Sequence, residues 1–189
     1  IQGWLGAVVV KSGLQPGIIT LHMLLAMLLL CLLLWIARRA NSANILKKED
    51  HPHSKIGRIL TGVVMLQVTI GTQVREGIDP FIKDSQGLSR EAWLSQVGIA
   101  DDLHRPVSWL VLILALLTWK SLRAGDSQLG RLALIAVGIS LAQMTIGLIL
   151  QNAGLPPIAQ VFHLVGAAAL VCISFCIGWP SRKIKISNA

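Results

Sequence analysis

Charged residues are scarce in this sequence: they make up only 14% of its 189 residues, whereas hydrophobic residues make up 53%. A soluble domain of this length cannot bury so much apolar surface, so the composition excludes an ordinary soluble protein. The apolar runs at residues 21–37 and 132–150 contain no Asp, Glu, Lys or Arg. Because about 20 helical residues cross the hydrocarbon core of a bilayer, these runs predict an integral membrane protein with the lipid bilayer as its surroundings.

Acidic residues are scarcer than basic ones: the sequence has 9 Asp and Glu and 17 Lys and Arg, which gives a net charge of +8. A basic protein can bind nucleic acid, but here the basic residues lie in short clusters beside the apolar runs. The clusters include Arg38-Arg39, Lys47-Lys48 and Arg182-Lys183. This placement follows the positive-inside rule and explains the charge without nucleic acid, so we predict no nucleic-acid partner.

Cysteine is also rare, and its three positions, Cys31, Cys172 and Cys176, all fall inside apolar runs. This pattern argues against a disulfide framework and favours small buried hydrophobic side chains. Carboxylates are almost absent from the apolar runs, which disfavours a proton relay through the membrane.

Six apolar segments can be distinguished, and Gly and Pro residues separate them at the turns. They are residues 1–10, 17–37, 56–74, 103–119, 129–150 and 158–179. Backbone groups in hydrocarbon must be satisfied within their own segment, so the predicted fold class is an all-α integral membrane protein. At a rise of about 1.5 Å per residue the first segment is too short to cross the bilayer, so we expect the sequence to begin partway along a helix.

The connections between the segments differ in basic charge. Of the 17 Lys and Arg residues, twelve fall on one side of the predicted helices and five on the other. The richer side is expected to be cytoplasmic in a bacterial membrane, or the matrix side of the mitochondrial inner membrane, and the C-terminus lies there.

A 21-residue frame occurs at residues 2–22 and again at residues 143–163, with Gln first, Gly fifth, Gly-Leu at positions twelve and thirteen, and His last. A third, partial copy has Gln67 and Gly71, and its histidine, His104, follows a longer outer loop at residues 75–102. Each copy reads as a helical hairpin, and such internal repeats are a recognised signature of membrane folds.

The repeat predicts two duplicated four-helix transmembrane bundles, of which the first is truncated here. A long-loop hairpin with its own histidine is expected upstream of Ile1. The predicted parts are the second hairpin of the N-terminal bundle (residues 1–37), an inner basic linker (38–55), the C-terminal four-helix bundle (56–180) and a cytoplasmic tail (181–189).

Three of the five histidines, His22, His104 and His163, lie at the outer end of the descending helix of each hairpin, whereas His51 and His53 lie in the basic inner loop. One such histidine is readily explained by hydrogen bonds to interfacial water or turn carbonyls. Three in register favour a function, because ionisable residues in membrane segments are costly.

Two imidazoles from facing helices of a bundle are usual axial ligands of a haem iron, which makes His104 and His163 a candidate pair. His22 would need the upstream histidine as its partner. Zinc is disfavoured, because no Cys, Asp or Glu lies at ligand spacing from these histidines.

Several neighbouring residues fit a haem but also have a simpler interpretation. Arg105 directly follows His104 and is placed either to meet a haem propionate or to serve as an exposed interfacial cation. Gly166 and the three alanines after it allow close approach of a flat macrocycle, although small residues also serve helix packing. The glutamines at the start of each frame, Gln2, Gln67 and Gln143, are interpreted as residues that hold neighbouring helices together by hydrogen bonds.

Taken together, these motifs resemble the heme A synthase family. The resemblance rests on QGWLGAVVV from Gln2 with His22, on LQVTIGTQVRE from Leu66, on His104-Arg105, and on residues 143–163. It covers nearly the whole chain except the inner loop and the C-terminal tail.

The resemblance implies eight transmembrane helices in two four-helix bundles, of which this chain corresponds to helices three to eight. It implies a haem b between His104 and His163, and a substrate site containing His22, where a methyl group of haem O is oxidised to the formyl group of haem A. Cytochrome oxidase assembly and a functional link to a haem O synthase follow from the same resemblance.

The chain also departs from the family pattern. The family's other N-terminal histidine, its nearby functional glutamate and an outer-loop cysteine pair fall in the absent part, and Glu76 and Glu91 lie in a different hairpin. We therefore expect this fragment to bind haem b but to be incomplete for catalysis.

Two other functions are compatible with the sequence. One is a bis-histidine membrane cytochrome b that passes electrons from quinol, and the other is a transporter or structural subunit with unliganded histidines. The sequence leaves a homo-oligomer open.

Overall fold

The computed structural model describes residues 1–40, 54–84, 87, 89–125 and 127–179. The predicted inner basic linker lies mostly outside these residues, as do His51, His53 and the predicted cytoplasmic tail. The helices extend beyond the predicted parts, to residue 40 before the linker and from residue 54 after it.

Within the described residues the chain folds into six α-helices and two 3₁₀ turns, with no strand. The α-helices are α1 (Gln2–Lys11), α2 (Ile18–Ala40), α3 (Ser54–Lys83), α4 (Ile99–Leu122), α5 (Ser127–Asn152) and α6 (Pro157–Gly178), and the 3₁₀ turns are Arg90–Ala92 and Leu94–Gln96. Four of them, α2, α4, α5 and α6, are long and apolar enough to cross a membrane. The prediction of an all-α integral membrane protein is confirmed.

Helices α3, α4, α5 and α6 form a four-helix bundle in which each helix packs against the next and α6 closes back onto α3. The hairpin of α1 and α2 docks against this bundle through α2, which contacts α3 and α6. The core contains fully buried Leu60, Ala115, Ala136 and Val171, and Met27 of α2 joins it. In this arrangement α4 and α6 stand diagonally across the bundle, which matters for the histidines they carry.

The Gly-Leu pair of the repeated frame has one conformation in both complete copies. Gly13 and Leu14 have φ of 68° and 63°, and Gly154 and Leu155 have φ of 65° and 57°. The Leu14 N–H donates to the carbonyl of Val9 at 3.0 Å, and the Leu155 N–H donates to the carbonyl five residues before it at 3.2 Å. These left-handed pairs close the ends of α1 and α5 as Schellman-type caps, in which glycine avoids the steric cost of positive φ.

The interpretation of residues 75–102 as a loop is wrong for most of this segment. Helix α3 continues past residue 74 to Lys83, the two 3₁₀ turns follow, and α4 begins at Ile99. Pairs one helical turn apart support these extensions: Arg75 with Asp79, and Asp101 with Arg105. A small apolar cluster of Ile78, Trp93 and Leu155 also packs there, so the segment folds back onto the outer end of the bundle.

The inner ends of α3 and α6 touch backbone to backbone. A Cβ added to Gly57 would lie only 2.8 Å from the backbone nitrogen of Gly178, and one added to Gly178 would lie 3.0 Å from that of Arg58. Close approach of this kind is the usual reason for glycine at helix contacts in membranes.

Replacing Gly57 by alanine should therefore destabilise the bundle, because the α6 backbone has to move away. We expect Gly57→Ala to lower the free energy of unfolding by about 1–3 kcal/mol, the usual cost of overpacking. Gly62→Ala is the matched control on the same helix, since a Cβ there meets no atom within 4 Å. Thermal unfolding in detergent measures both; equal melting temperatures would show that the Gly57 contact does not limit packing.

Candidate functional site

Each of the three predicted histidines lies within about the first two turns of a descending helix: His22 on α2, His104 on α4 and His163 on α6. All three side chains are half-buried. In two of the hairpins the Gly-Leu cap fixes where the histidine lies along the descending helix. The cap ends the ascending helix, and the descending helix begins a few residues later, shortly before the histidine.

The structure brings His104 and His163 together across the bundle, as the sequence predicted. Their ring centroids lie 6.3 Å apart, with the ring planes inclined by 56°. A metal bond to an imidazole nitrogen is about 2.0–2.1 Å, so with the rings' own radii two axial imidazoles have centroids roughly 6 Å apart. The observed separation therefore fits one metal ion between the two rings.

The composition of the site favours a haem iron over a bare ion. Among the described residues, no group of three or more His, Cys, Asp or Glu side chains is placed to hold a metal. Two histidines leave most coordination positions of a bare metal empty, whereas the porphyrin supplies the remaining ligands of a haem. His163 Nδ1 is also buried without a hydrogen-bond partner, which suits a ring held in place by a bound group.

Two of the repeated glutamines contact a histidine directly. Gln2 Nε2 donates to the His22 backbone carbonyl at 2.9 Å and lies 3.2 Å from His22 Nδ1. Gln67 Nε2 donates to the His104 carbonyl at 3.0 Å and lies 3.2 Å from His104 Nδ1. The sequence interpretation of these glutamines as hydrogen-bonding residues between helices was incomplete, because each one bonds to the histidine of the next helix.

The glycine of the frame faces the same imidazole. A Cβ on Gly6 would lie 3.2 Å from His22 Cε1, and one on Gly71 would lie 3.1 Å from His104 Cε1. In these two copies, the Gln and Gly of the frame Gln-x-x-x-Gly therefore both contact the histidine of the next helix. The constant spacing from Gln to Gly was the sequence signal that could have revealed it.

The copy of the frame at residues 143–163 is looser. Gln143 Nε2 makes a long hydrogen bond of 3.5 Å to the carbonyl of Phe162, and the Gly147 position is 4.0 Å from His163 Cε1. A Cβ on Gly166 would overlap the Gln143 amide, so this side chain lies over the glycine of α6. The close approach predicted at Gly166 therefore takes place against Gln143.

Arg105 lies at the outer end of α4, where it pairs with Asp101 one turn earlier. Its side chain is about half exposed, at 51%. A guanidinium has five N–H donors, so one carboxylate does not saturate it. The predicted contact with a propionate stays a prediction.

Glu76 is a functional candidate that sequence reasoning had set aside. It belongs to α3, but its carboxylate, in a residue only 6% exposed, reaches the start of α2. Oε1 accepts from the Gly17 N–H at 2.9 Å, from the Thr20 N–H at 3.1 Å and from the Thr20 hydroxyl at 2.8 Å. This is an N-terminal helix cap supplied from another hairpin, two residues before His22. A contact across 56–59 positions leaves no local signal in the sequence.

The inner end of α2 is held in a complementary way. Arg38 donates to the carbonyls of Cys176 at 2.8 Å and of Trp179 at 2.9 Å, at the C-terminus of α6. A cation at that end also complements the dipole of α6. The cysteines Cys31, Cys172 and Cys176 are free and only partly buried, less so than the sequence predicted.

Two comparisons with known proteins found a match for this chain. Residues 1–175 match the model of the COX15-CtaA family, described as cytochrome oxidase assembly protein. A heme A synthase of Methylorubrum populi is 25% identical over 199 residues, an alignment that covers 92% of this chain and 52% of that protein. The chain thus spans about half the length of this curated relative. No solved structure gives a significant match.

Removing the Glu76 carboxylate should release the outer end of α2. Hydrogen bonds to a charged group contribute about 1.5–3 kcal/mol, so in Glu76→Leu we expect amide exchange at Gly17 and Thr20 to rise roughly 10- to 100-fold. Hydrogen–deuterium exchange of the detergent-solubilised protein measures this.

Asp79→Asn is the control, because Asp79 is buried on the same helix but pairs with Arg75 within α3. Unchanged exchange at Gly17 and Thr20 in Glu76→Leu would show that the cap does not hold α2.

Proposed function

Because the chain belongs to the COX15-CtaA family of cytochrome oxidase assembly proteins, we propose that it forms part of a heme A synthase. The proposed reaction oxidises a peripheral methyl group of haem O to the formyl group of haem A. The name of the Methylorubrum populi relative supports this assignment. The supply of haem O implies a functional link to a haem O synthase.

The observation that carries the proposal is the facing pair of His104 and His163, whose ring centroids are 6.3 Å apart across the bundle. In this proposal His104 and His163 are the residues that would hold a haem b. A bound haem supplies one-electron redox chemistry. The residues of the chain orient the ligands, and the apolar bundle below them excludes water from the site.

His22 belongs, in this proposal, to the substrate-haem site of the N-terminal bundle. It is seated against Gln2, as His104 is against Gln67, so an equivalent histidine from segments outside this chain would complete the pair. Arg105 receives a propionate at the outer surface. The helix ends that carry the histidines face the outer side of the membrane and the C-terminus is cytoplasmic, as the distribution of basic residues indicates.

The domain organisation is part of the same proposal. Helices α1 and α2 are the second hairpin of the N-terminal bundle, and α3 to α6 are the complete C-terminal bundle. The fragment alone then binds haem b, whereas turnover needs the rest of the N-terminal bundle.

Pigment analysis tests the activity. The complete open reading frame, expressed with a haem O synthase in a host that makes no haem A, should yield haem A on acid extraction and chromatography. If haem b is bound but only haem O accumulates, the protein is not a heme A synthase, and a bis-histidine cytochrome b becomes the better assignment.

Histidine replacements test the haem pair. We expect His104→Ala and His163→Ala each to abolish the low-spin haem b spectrum, because either change would remove one of the two imidazoles that would hold the haem. His22→Ala is the matched control and should retain that spectrum. Visible absorption of the purified variants is the measurement; loss of the signal in His22→Ala with retention in His163→Ala would overturn the pairing.

A further inference from the structure

We propose that a polar cluster between α2 and α3 positions His22 for the substrate haem. This α2–α3 cluster consists of Thr20 on α2 and of Thr72, Gln73 and Glu76 on α3. The inference rests on the proposed substrate site and deepens it. It makes side chains of the C-terminal bundle positioning residues for a haem that the N-terminal bundle would hold.

The hydroxyl of Thr20 is the centre of the α2–α3 cluster. It donates to Glu76 Oε1 at 2.8 Å, accepts from Gln73 Nε2 at 2.7 Å and lies 2.8 Å from Thr72 Oγ1. The Thr72 hydroxyl has a second acceptor within reach, the Thr69 carbonyl at 2.7 Å. A hydroxyl has one proton and two lone pairs, so when Thr72 is the donor, the three contacts use the whole hydrogen-bonding capacity of Thr20.

The α3 side of the cluster is buried and also holds the backbone of α2. Thr72 is 8% exposed and Glu76 is 6% exposed. Glu76 Oε1 accepts from the backbone N–H groups of Gly17 and Thr20 as well as from the Thr20 hydroxyl. Because a buried polar group without a partner is costly, α2 cannot slide or turn against α3 without breaking several of these bonds together. The cluster therefore fixes the depth and the rotation of the first turns of α2.

His22 lies next to this anchored part of α2, on the opposite face of the helix. Successive residues of an α-helix are rotated by about 100° and rise about 1.5 Å, so His22 lies about 200° around α2 from Thr20 and about 3 Å farther along it. Thr20 faces α3, whereas His22 contacts Gln2 and Gly6 of α1. A movement of α2 that breaks the cluster therefore carries the His22 imidazole with it.

The same turn of α3 also contacts the proposed haem b site. Gly71 faces the His104 ring, since a Cβ there would lie 3.1 Å from His104 Cε1. Thr72, the next residue along α3, contacts Thr20 of α2. This turn therefore contacts both α4 and α2, and each of these helices carries a proposed haem ligand.

Binding of haem O to the complete protein tests the proposal. We expect Thr20→Val to weaken this binding by about 10-fold, an effect typical of changes in the support of a metal ligand. Valine keeps the shape of threonine but makes none of the three hydroxyl contacts. Glu76→Leu should act in the same direction, whereas Thr20→Ser keeps the hydroxyl and should retain the affinity. The low-spin haem b spectrum should persist in all three variants, because His104 and His163 are unchanged.

Two control variants separate positioning of His22 from general stability. Thr61→Val removes a buried hydroxyl of α3 that donates to the Gly57 carbonyl of the same helix at 2.9 Å. Arg38→Gln removes the attachment at the other end of α2. Both should lower the melting temperature but leave the affinity for haem O close to that of the unchanged protein.

The measurement is a titration of the purified complete protein with haem O, followed by visible absorption, together with haem b content and melting temperature. Unchanged affinity in Thr20→Val would overturn the proposal, and so would an affinity of Thr20→Ser as low as that of Thr20→Val. Equal losses of affinity in Thr20→Val, Thr61→Val and Arg38→Gln would also overturn it. If Glu76→Leu does not fold, the two Thr20 variants decide the question.

These outcomes are separate from a failure of the proposed function. Absence of haem O binding by the unchanged protein would overturn both the substrate site and the role of the α2–α3 cluster. Formation of haem A with insensitive Thr20 and Glu76 variants would overturn only the role of the cluster. Haem O binding that follows the expected pattern without formation of haem A would support this role and overturn the synthase assignment.

Discussion

Hydrocarbon offers no hydrogen bonds, so a polar side chain inside this membrane protein has to find its partner within the protein itself. The interaction on which the site depends is the bond from the Gln67 amide to His104 at the start of α4. It joins two antiparallel helices and places an imidazole at a defined depth. The same bond from Gln2 to His22 shows that this is a repeated solution.

The same constraint explains how the two hairpin units are joined. The first hairpin packs less extensively against the bundle than the bundle helices pack against one another, but both ends of α2 carry polar attachments. The buried carboxylate of Glu76 satisfies the first N–H groups of α2, and Arg38 satisfies the last carbonyls of α6. Attachments at both ends of α2, to Glu76 of α3 and to the C-terminus of α6, therefore hold the helix that carries His22 against the bundle.

The divergence of the copy at residues 143–163 is informative because this copy keeps the sequence frame completely. Gln143, Gly147 and His163 have the spacing of Gln2, Gly6 and His22, yet Gln143 lies over Gly166 of α6. A glycine on the facing helix removes the side chain that would otherwise hold the amide away. The glycine at position 166 thus affects the hydrogen bonding of the Gln143 amide as well as the helix packing.

The sequence by itself determined the all-helical membrane fold, the helical hairpins and the position of the three histidines near the starts of α2, α4 and α6. Each of these follows from local properties: the length of the apolar runs, the Gly-Leu turns and a fixed spacing along the chain. The facing of His104 and His163 was predictable too, because a four-helix bundle places alternate helices on a diagonal. Only the tertiary structure decided that Glu76 caps α2, that Arg38 caps α6 and that the glutamines bond to the histidines. Those partners lie 20 to 141 positions apart in sequence, and only the packing of the helices determines which side chains meet.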